Sequence, residues 1–200
     1  MNFLPLLCTV VLLQVKAESS AQISLQLRHA TIAEATEAIA KQSSYNFQFS
    51  DAVKSDKQRY SIKVKDAPLR IVMSILLHNT SFYYLPQGNI ISILDTNTDT
   101  VQLKYRVLSN VQINATETLF NGCVISTHDK GKISGAIVTV NRKGRCIKCV
   151  TNAAGGFSLD GVRLADVISI QHPDYFTERV PVTDLDPQYF LLVKKDKYKQ

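Results

Sequence analysis

The first half of the chain is written twice. Leu25, Leu27, Arg28, Ala30, Ile32, Ala35, Ile39, Ser44, Tyr45 and Phe47 align, with no gap and at an offset of 37, with Ile62, Val64, Lys65, Ala67, Leu69, Val72, Leu76, Ser81, Phe82 and Tyr84. Identity is low, but each pair keeps its chemical type. A fixed period reveals architecture before any propensity does. Both copies therefore face the same burial problem.

Each copy reads strand, helix, strand. Ile23, Leu25 and Leu27 alternate with Ser24, Gln26 and Arg28, the period of a half-buried strand. Thr31 has Glu34 three residues on, a capping box that opens a helix with Ile32, Ala35 and Ile39 on one face. Tyr45, Phe47 and Phe49 alternate again. In the second copy Tyr60, Ile62 and Val64 alternate, Asp66 is the expected N-cap, and Pro68 falls where a missing amide hydrogen costs nothing. Leu69, Val72, Met73 and Leu76 then recur at helical spacing. Phe82 to Leu85 and Asn89 to Leu94 follow as short strands around Pro86, Gln87 and Gly88. Ile71 and Ile75 stand where the first copy has Glu34 and Ala38, so the second helix is apolar almost all round. Two readings account for this: the helix is covered on both faces, or it carries a partner-binding stripe.

From Thr96 to Thr118 Asn and Thr accumulate and charge thins, as expected of a linker, although Val101, Leu103, Tyr105 and Val107 alternate like a connecting strand. After Leu119 helical periodicity ends. Short apolar runs at 120–126, 135–142, 146–151, 156–160, 166–172, 175–182 and 188–195 are separated by turn residues at the spacing of an all-β sandwich. Composition closes off other classes. The chain has 200 residues, 45% hydrophobic and 20% charged, as in a folded domain. Its apolar runs stay short of the ~20 residues that span a bilayer, which excludes a transmembrane helix. A net charge of +6 is spread rather than gathered into a stripe, so nucleic acid is not an expected partner. Phe3 to Val15 followed by Lys16-Ala17 reads as a signal peptide over residues 1–17.

Chemistry is sparse. Cys146-Ile147-Lys148-Cys149 is the one motif with reactive potential, but a redox pair works at a helix N-terminus, and this pair lies in an expected strand, where residues three apart point to opposite faces. Packing, or an incidental disulfide with Cys123, is favoured over zinc or thiol exchange. Three cysteines beyond the signal segment leave one unpaired in a monomer. His29, His78, His128 and His172 form no helical pair. Phosphate-loop, nucleophile-elbow and dinucleotide fingerprints are missing. No catalytic, cofactor-binding or metal residue is assigned, no cofactor is expected, and the chain is not expected to be an enzyme. The sequons at Asn79 and Asn114 signify glycosylation only in a eukaryotic secretory route. The basic tail Lys194 to Lys199 reads as a solvated end.

Two resemblances give these pieces an expected identity. Ser24 to Ile32, Tyr45-Asn46-Phe47, Ile62 to Leu69 and Asn89 to Ile93 resemble the short domain at the N-terminus of secretins and TonB-dependent receptors. Gly122-Cys123-Val124, Ser134 to Val138, Val150 to Leu159 and His172 to Tyr175 resemble the carboxypeptidase-regulatory-like domain, with Asn152 replacing the family's Asp in a Thr-Asp-x-x-Gly-x-Phe turn. The expected fold is thus α+β, two duplicated βαβ units with both helices held between small sheets, followed by an all-β seven-stranded transthyretin-like sandwich. The expected organisation is a signal peptide at 1–17, the short domain at 18–95, a linker at 96–118 and the sandwich at 119–196, the two halves folding independently. The resemblances imply an exported, non-enzymatic docking and signalling module in the periplasm or at the outer membrane of a Gram-negative envelope. Its expected partner is a protein, an inner-membrane anti-sigma regulator or the outer-membrane uptake machinery. The resembling receptors continue into a plug and barrel, so a freestanding adaptor and a truncated receptor both fit. A periplasmic thiol oxidoreductase is the alternative from another class.

Overall fold

The computed structural model describes residues 22–96 and 117–198, apart from 143, 185 and 187. The expected signal segment, nearly all of the expected linker with its strand over Val101 to Val107, and the sequon at Asn114 lie outside the described residues. The first half runs β1 (Gln22–Ala30), α1 (Ile32–Ala40), β2 (Asn46–Phe49), α2 (Asp51–Ser55), β3 (Tyr60–Pro68), α3 (Leu69–Leu76), β4 (Phe82–Gln87) and β5 (Ile90–Asp95). The second half supplies β6 (Thr118–Ser126), β7 (Ile137–Arg142), β8 (Arg145–Val150), β9 (Gly156–Val162), β10 (Val167–His172), β11 (Tyr175–Pro181) and β12 (Gln188–Leu192), closed by a 3₁₀ turn at Lys195–Tyr198.

The duplication survives in the backbone but not as two βαβ units, and the expected α+β class is corrected on that point: the described chain is mostly β, with three α-helices. The two strands of each copy join different sheets. β1 pairs antiparallel with β3, whereas β2 runs parallel to β5, which stands between β2 and β4. The β1–β3 register explains the choice. Leu25 faces Val64 and Leu27 faces Ile62, while Ile23 facing Ala67 is matched by Ala30 facing Tyr60. At an offset of 37 these partners exchange roles, and Gln26 faces its own counterpart Lys63. The copies thus pair as the halves of an isologous dimer do, about a local two-fold. Two twin strands with the same apolar face satisfy each other's edges, and each helix then leads the chain away to the other sheet.

The twin relation reaches single residues. Thr31 and Pro68, at equivalent positions, are the N-caps of α1 and α3. His29 and Asp66, also equivalent, both take positive φ, at 53° and 48°, each within one of the two register shifts of the β1–β3 pair. Asp66 is therefore not the N-cap of α3. It lies in the bent strand instead, its amide donating to Ser24 Oγ at 2.9 Å. The capping box of α1 forms: the Glu34 amide donates to Thr31 Oγ1 at 3.2 Å, and the Thr31 amide to Glu34 Oε2 at 2.7 Å.

In the second half the sheets are ordered β11-β10-β7-β8 and β12-β6-β9. They share one core, in which Phe120, Leu159, Val138, Ile168 and Phe190 are buried. The turn before β9 is held by Asn152, whose Oδ1 accepts from the Ala154 and Gly156 amides at 2.9 Å each. Gly155 there has φ +70°, and a Cβ would lie 2.6 Å from the Val124 carbonyl oxygen, so no other residue fits. Phe157 then enters the core between Phe120 and Phe190.

Candidate docking site

Helix α3 is the hinge of the molecule's organisation. Leu69, Val72, Met73 and Leu76 enter the first core. Arg70, Ser74 and His78, four residues apart along the helix and its end, turn to the second half. Ser74 Oγ donates to Glu178 Oε2 at 2.5 Å, the Thr177 amide donates to His78 Nδ1 at 2.6 Å, and Arg70 donates to the Leu191 carbonyl at 2.8 Å. Arg179 reaches the Leu77 carbonyl at 3.4 Å, the C-terminal end of α3, where a cation complements the helix dipole. The ring of Phe176 meets His78 edge-on at 5.1 Å. The helix is covered on both sides, as one of the two readings held, but its second cover is β11 rather than a second small sheet. Ile75 is buried and Ile71 half-buried.

The halves therefore meet over an extended seam and do not hang from a bare tether. A second contact lies at the C-terminus. The tail expected to be a solvated end folds back, and Tyr198 packs against the first core.

Where α3, β4, β11 and β12 converge, an open groove of about 470 Å³ runs along the seam. Arg70 and Arg179 line it with Tyr84, Pro86, Pro181 and Tyr189. Tyr189 is 71% exposed, a rare state for a large aromatic among the described residues. Glu178 lies beneath, and burial pushes its carboxyl above the usual range against the opposing pull of Ser74, Arg70 and Arg179. Burial likewise pushes the Tyr84 hydroxyl up. Burial, then the cations Lys195 and Arg179, lower His78 to about 4, so it is neutral at pH 7 and free to accept the Thr177 amide.

The cysteines lie apart from this groove. Cys146 is exposed on edge strand β8 and Cys149 is half-buried on the same strand, both as free thiols. Burial pushes the Cys149 thiol up, the opposite of what a nucleophilic thiol needs. Cys123 is also free and accepts from Lys132 Nζ at 3.6 Å. Among the described residues no group of three or more His, Cys, Asp or Glu could hold a metal ion, and no helix is long and apolar enough to cross a membrane. His29 and His128 are exposed, and His172 is half-buried against Tyr175. At the far end of the sandwich Glu117 accepts from Arg142, Arg145 and Arg163, while Arg142 also pairs with Asp166. That cluster has its cations already paired. Sequence reasoning missed the seam: Ile71 and Ile75, which it singled out, pack with the first core, and the signal available was Ser74, the one polar side chain among the buried residues of α3.

No known family matches the chain, and no curated relative does. Solved structures give low-level likenesses. The TIE protein of Bacillus anthracis is 10% identical, with a TM-score of 0.29 over 54% of this chain and 18% of that one. The shaft pilin SpaA of Lactobacillus rhamnosus GG is 9% identical, with a TM-score of 0.30 over 52% of this chain and 49% of that one. A 9R-lipoxygenase from Cyanothece PCC8801 is 10% identical, with a TM-score of 0.28 over 47% and 20%. The chain thus spans between about a fifth and a half of the length of these proteins. Likenesses this slight assign neither fold family nor function.

Proposed function

We propose that this chain is an exported, non-enzymatic docking and signalling module of the Gram-negative envelope. In this reading residues 18–95 act as a secretin- and TonB-type short domain and residues 119–196 as a carboxypeptidase-regulatory-like domain. The observation that carries the reading is the groove at the seam. It gathers Arg, Tyr and Pro side chains from both halves around an exposed tyrosine, and Tyr and Arg are the residues that dominate binding energy at protein interfaces. The two halves then act as one binding body, with α3 holding the relative placement of the groove walls.

The partner is a protein of the inner-membrane anti-sigma class or of the outer-membrane uptake machinery. The test is titration calorimetry of the full chain against the periplasmic part of such a regulator. A dissociation constant in the micromolar range, roughly −8 kcal/mol, is expected of a transient signalling contact. No heat of binding with any regulator or uptake component, together with disulfide exchange that is lost on replacing Cys146 and Cys149, would return the chain to the oxidoreductase class.

A further inference from the structure

We propose that the seam groove is a receptor for an extended acidic segment of a protein partner, one carboxylate side chain seating between Arg70 and Arg179 and the flanking residues lying against Tyr84 and Tyr189. The inference rests on the docking reading and names the chemistry of its partner.

Three observations carry it. The first is unspent cationic capacity. Each guanidinium has five donors in a planar fork, yet among the described residues Arg70 and Arg179 each donate to a single main-chain carbonyl, Leu191 and Leu77. Neither forms an ion pair with a carboxylate there, in contrast to Arg142, Arg145 and Arg163, which share Glu117. The second is the charge beneath them. Two guanidinium groups, Arg70 and Arg179, stand against Glu178, the one carboxylate that lines the groove among the described residues; it is buried and already accepts from Ser74, and burial raises its carboxyl against the pull of both arginines. The groove floor is net positive, and an incoming carboxylate completes it with charge-assisted bonds. The third is the rim. Tyr189 is 71% exposed, its ring approached by Lys132 Nζ at 5.5 Å. A small anion would satisfy the arginines and leave that ring in water, whereas a chain lying between β4 and β12 would cover it. An extended segment accounts for both features.

The probe is a blocked nonapeptide with one central glutamate between valine and leucine, compared with its glutamine counterpart, each titrated into the full chain and followed by amide resonances. The glutamate peptide is expected to bind roughly tenfold tighter, the size of one charge-assisted hydrogen bond, and to shift resonances of Tyr84, Arg179 and Tyr189. The R70Q/R179Q double variant keeps amide donors for the two carbonyls and is expected to lose the preference for glutamate. Should that variant fold poorly, Tyr189→Ala serves instead. Its ring is largely outside the core, so the thermal melt should stay unchanged while affinity falls. Equal binding of the two peptides, shifts gathered instead around Lys63, Lys65 and Lys197, or an undiminished preference in R70Q/R179Q would overturn the inference. A chain that binds an anti-sigma regulator but not the glutamate peptide refutes this inference alone. One that binds the peptide but no regulator or uptake component keeps the groove and refutes the proposed function.

Discussion

His29 and Asp66 are ordinary surface residues by composition and unusual ones by backbone. Both sit at positive φ, a region that costs a non-glycine residue about 1–2 kcal/mol and that a β-branched side chain tolerates worst. They bend the twin strands at symmetric points, letting each pass from the shared β1–β3 ladder into its helix. His29 donates its amide to Ser61 Oγ at 3.4 Å, and its side chain is exposed, so its replacement tests the backbone alone. His29→Gly should leave stability unchanged or raise it slightly, while His29→Val should lower it by about 1–2 kcal/mol. Urea midpoints of the two variants check this, and equal midpoints would show that the bend carries no strain.

At the scale of the element, α3 joins two environments with opposite demands on charge. Glu178 on β11 keeps its proton to a higher pH in the folded chain than in the unfolded one. Its contribution is therefore fully present below the ordinary carboxyl range and is lost as the pH rises above about 4.5, where the unfolded chain releases the proton first. His78 acts in the other direction. With a folded value of about 4 against 6.5 unfolded, it contributes nothing to pH dependence above 6.5, and it costs stability as the pH falls from 6.5 to 4, where the unfolded chain takes up a proton that the folded chain refuses. Glu178→Gln keeps an acceptor for Ser74 and removes the buried charge. It should be at least as stable as the natural chain at pH 8, with the difference shrinking toward pH 4. Glu178→Ala, which leaves the Ser74 hydroxyl unpaired, should be destabilised by about 1–3 kcal/mol. His78→Gln should flatten the acid decline between pH 6.5 and 4. Denaturant midpoints measured across that range separate the two groups, and a Glu178→Gln variant clearly weaker than the natural chain at pH 8 would mean that the carboxylate is an ion-pair anchor.

The whole molecule is two cores braced across one seam. The Arg70, Ser74 and His78 contacts and the packing of Phe176 and Tyr198 against the first core mean that residues 22–96 expressed alone would lose the partners of three side chains on α3 and its end, and part of the cover of its core. Each half has its own apolar core, so the isolated piece should still fold, but with a lower melting temperature than the same half has within the full chain. Circular dichroism of the piece and of the full chain makes the comparison. Identical melts would show that the seam adds nothing to stability. This coupling also bears on signalling, since a ligand that draws β12 and α3 together stabilises the joined arrangement by its difference in affinity for it.

What the amino-acid sequence determined by itself is local. The offset of 37 announced twin units. Thr31 with Glu34 announced a helix start, and Asn152, Gly155 and Phe157 announced a turn with an aromatic behind it. Each of these rests on bonds or steric limits within a few residues, which short-range pattern can express. The partners of the strands could not be read in the same way. An alternating strand fits any neighbour that buries the same face, so nothing in Ile23, Leu25 and Leu27 separated a βαβ crossover from an antiparallel pair with their own copy. Asp66 was misassigned for a related reason, since a cap and a strand bend both favour Asp, and only the presence of Ser24 opposite it decided between them. The seam is the extreme case. Ser74 and Glu178, or Arg70 and Leu191, lie more than a hundred residues apart, and a lone serine in an apolar helix says only that something must answer it. The tertiary structure supplied the answer by laying β11 along the helix, and with it came two arginines brought to one groove.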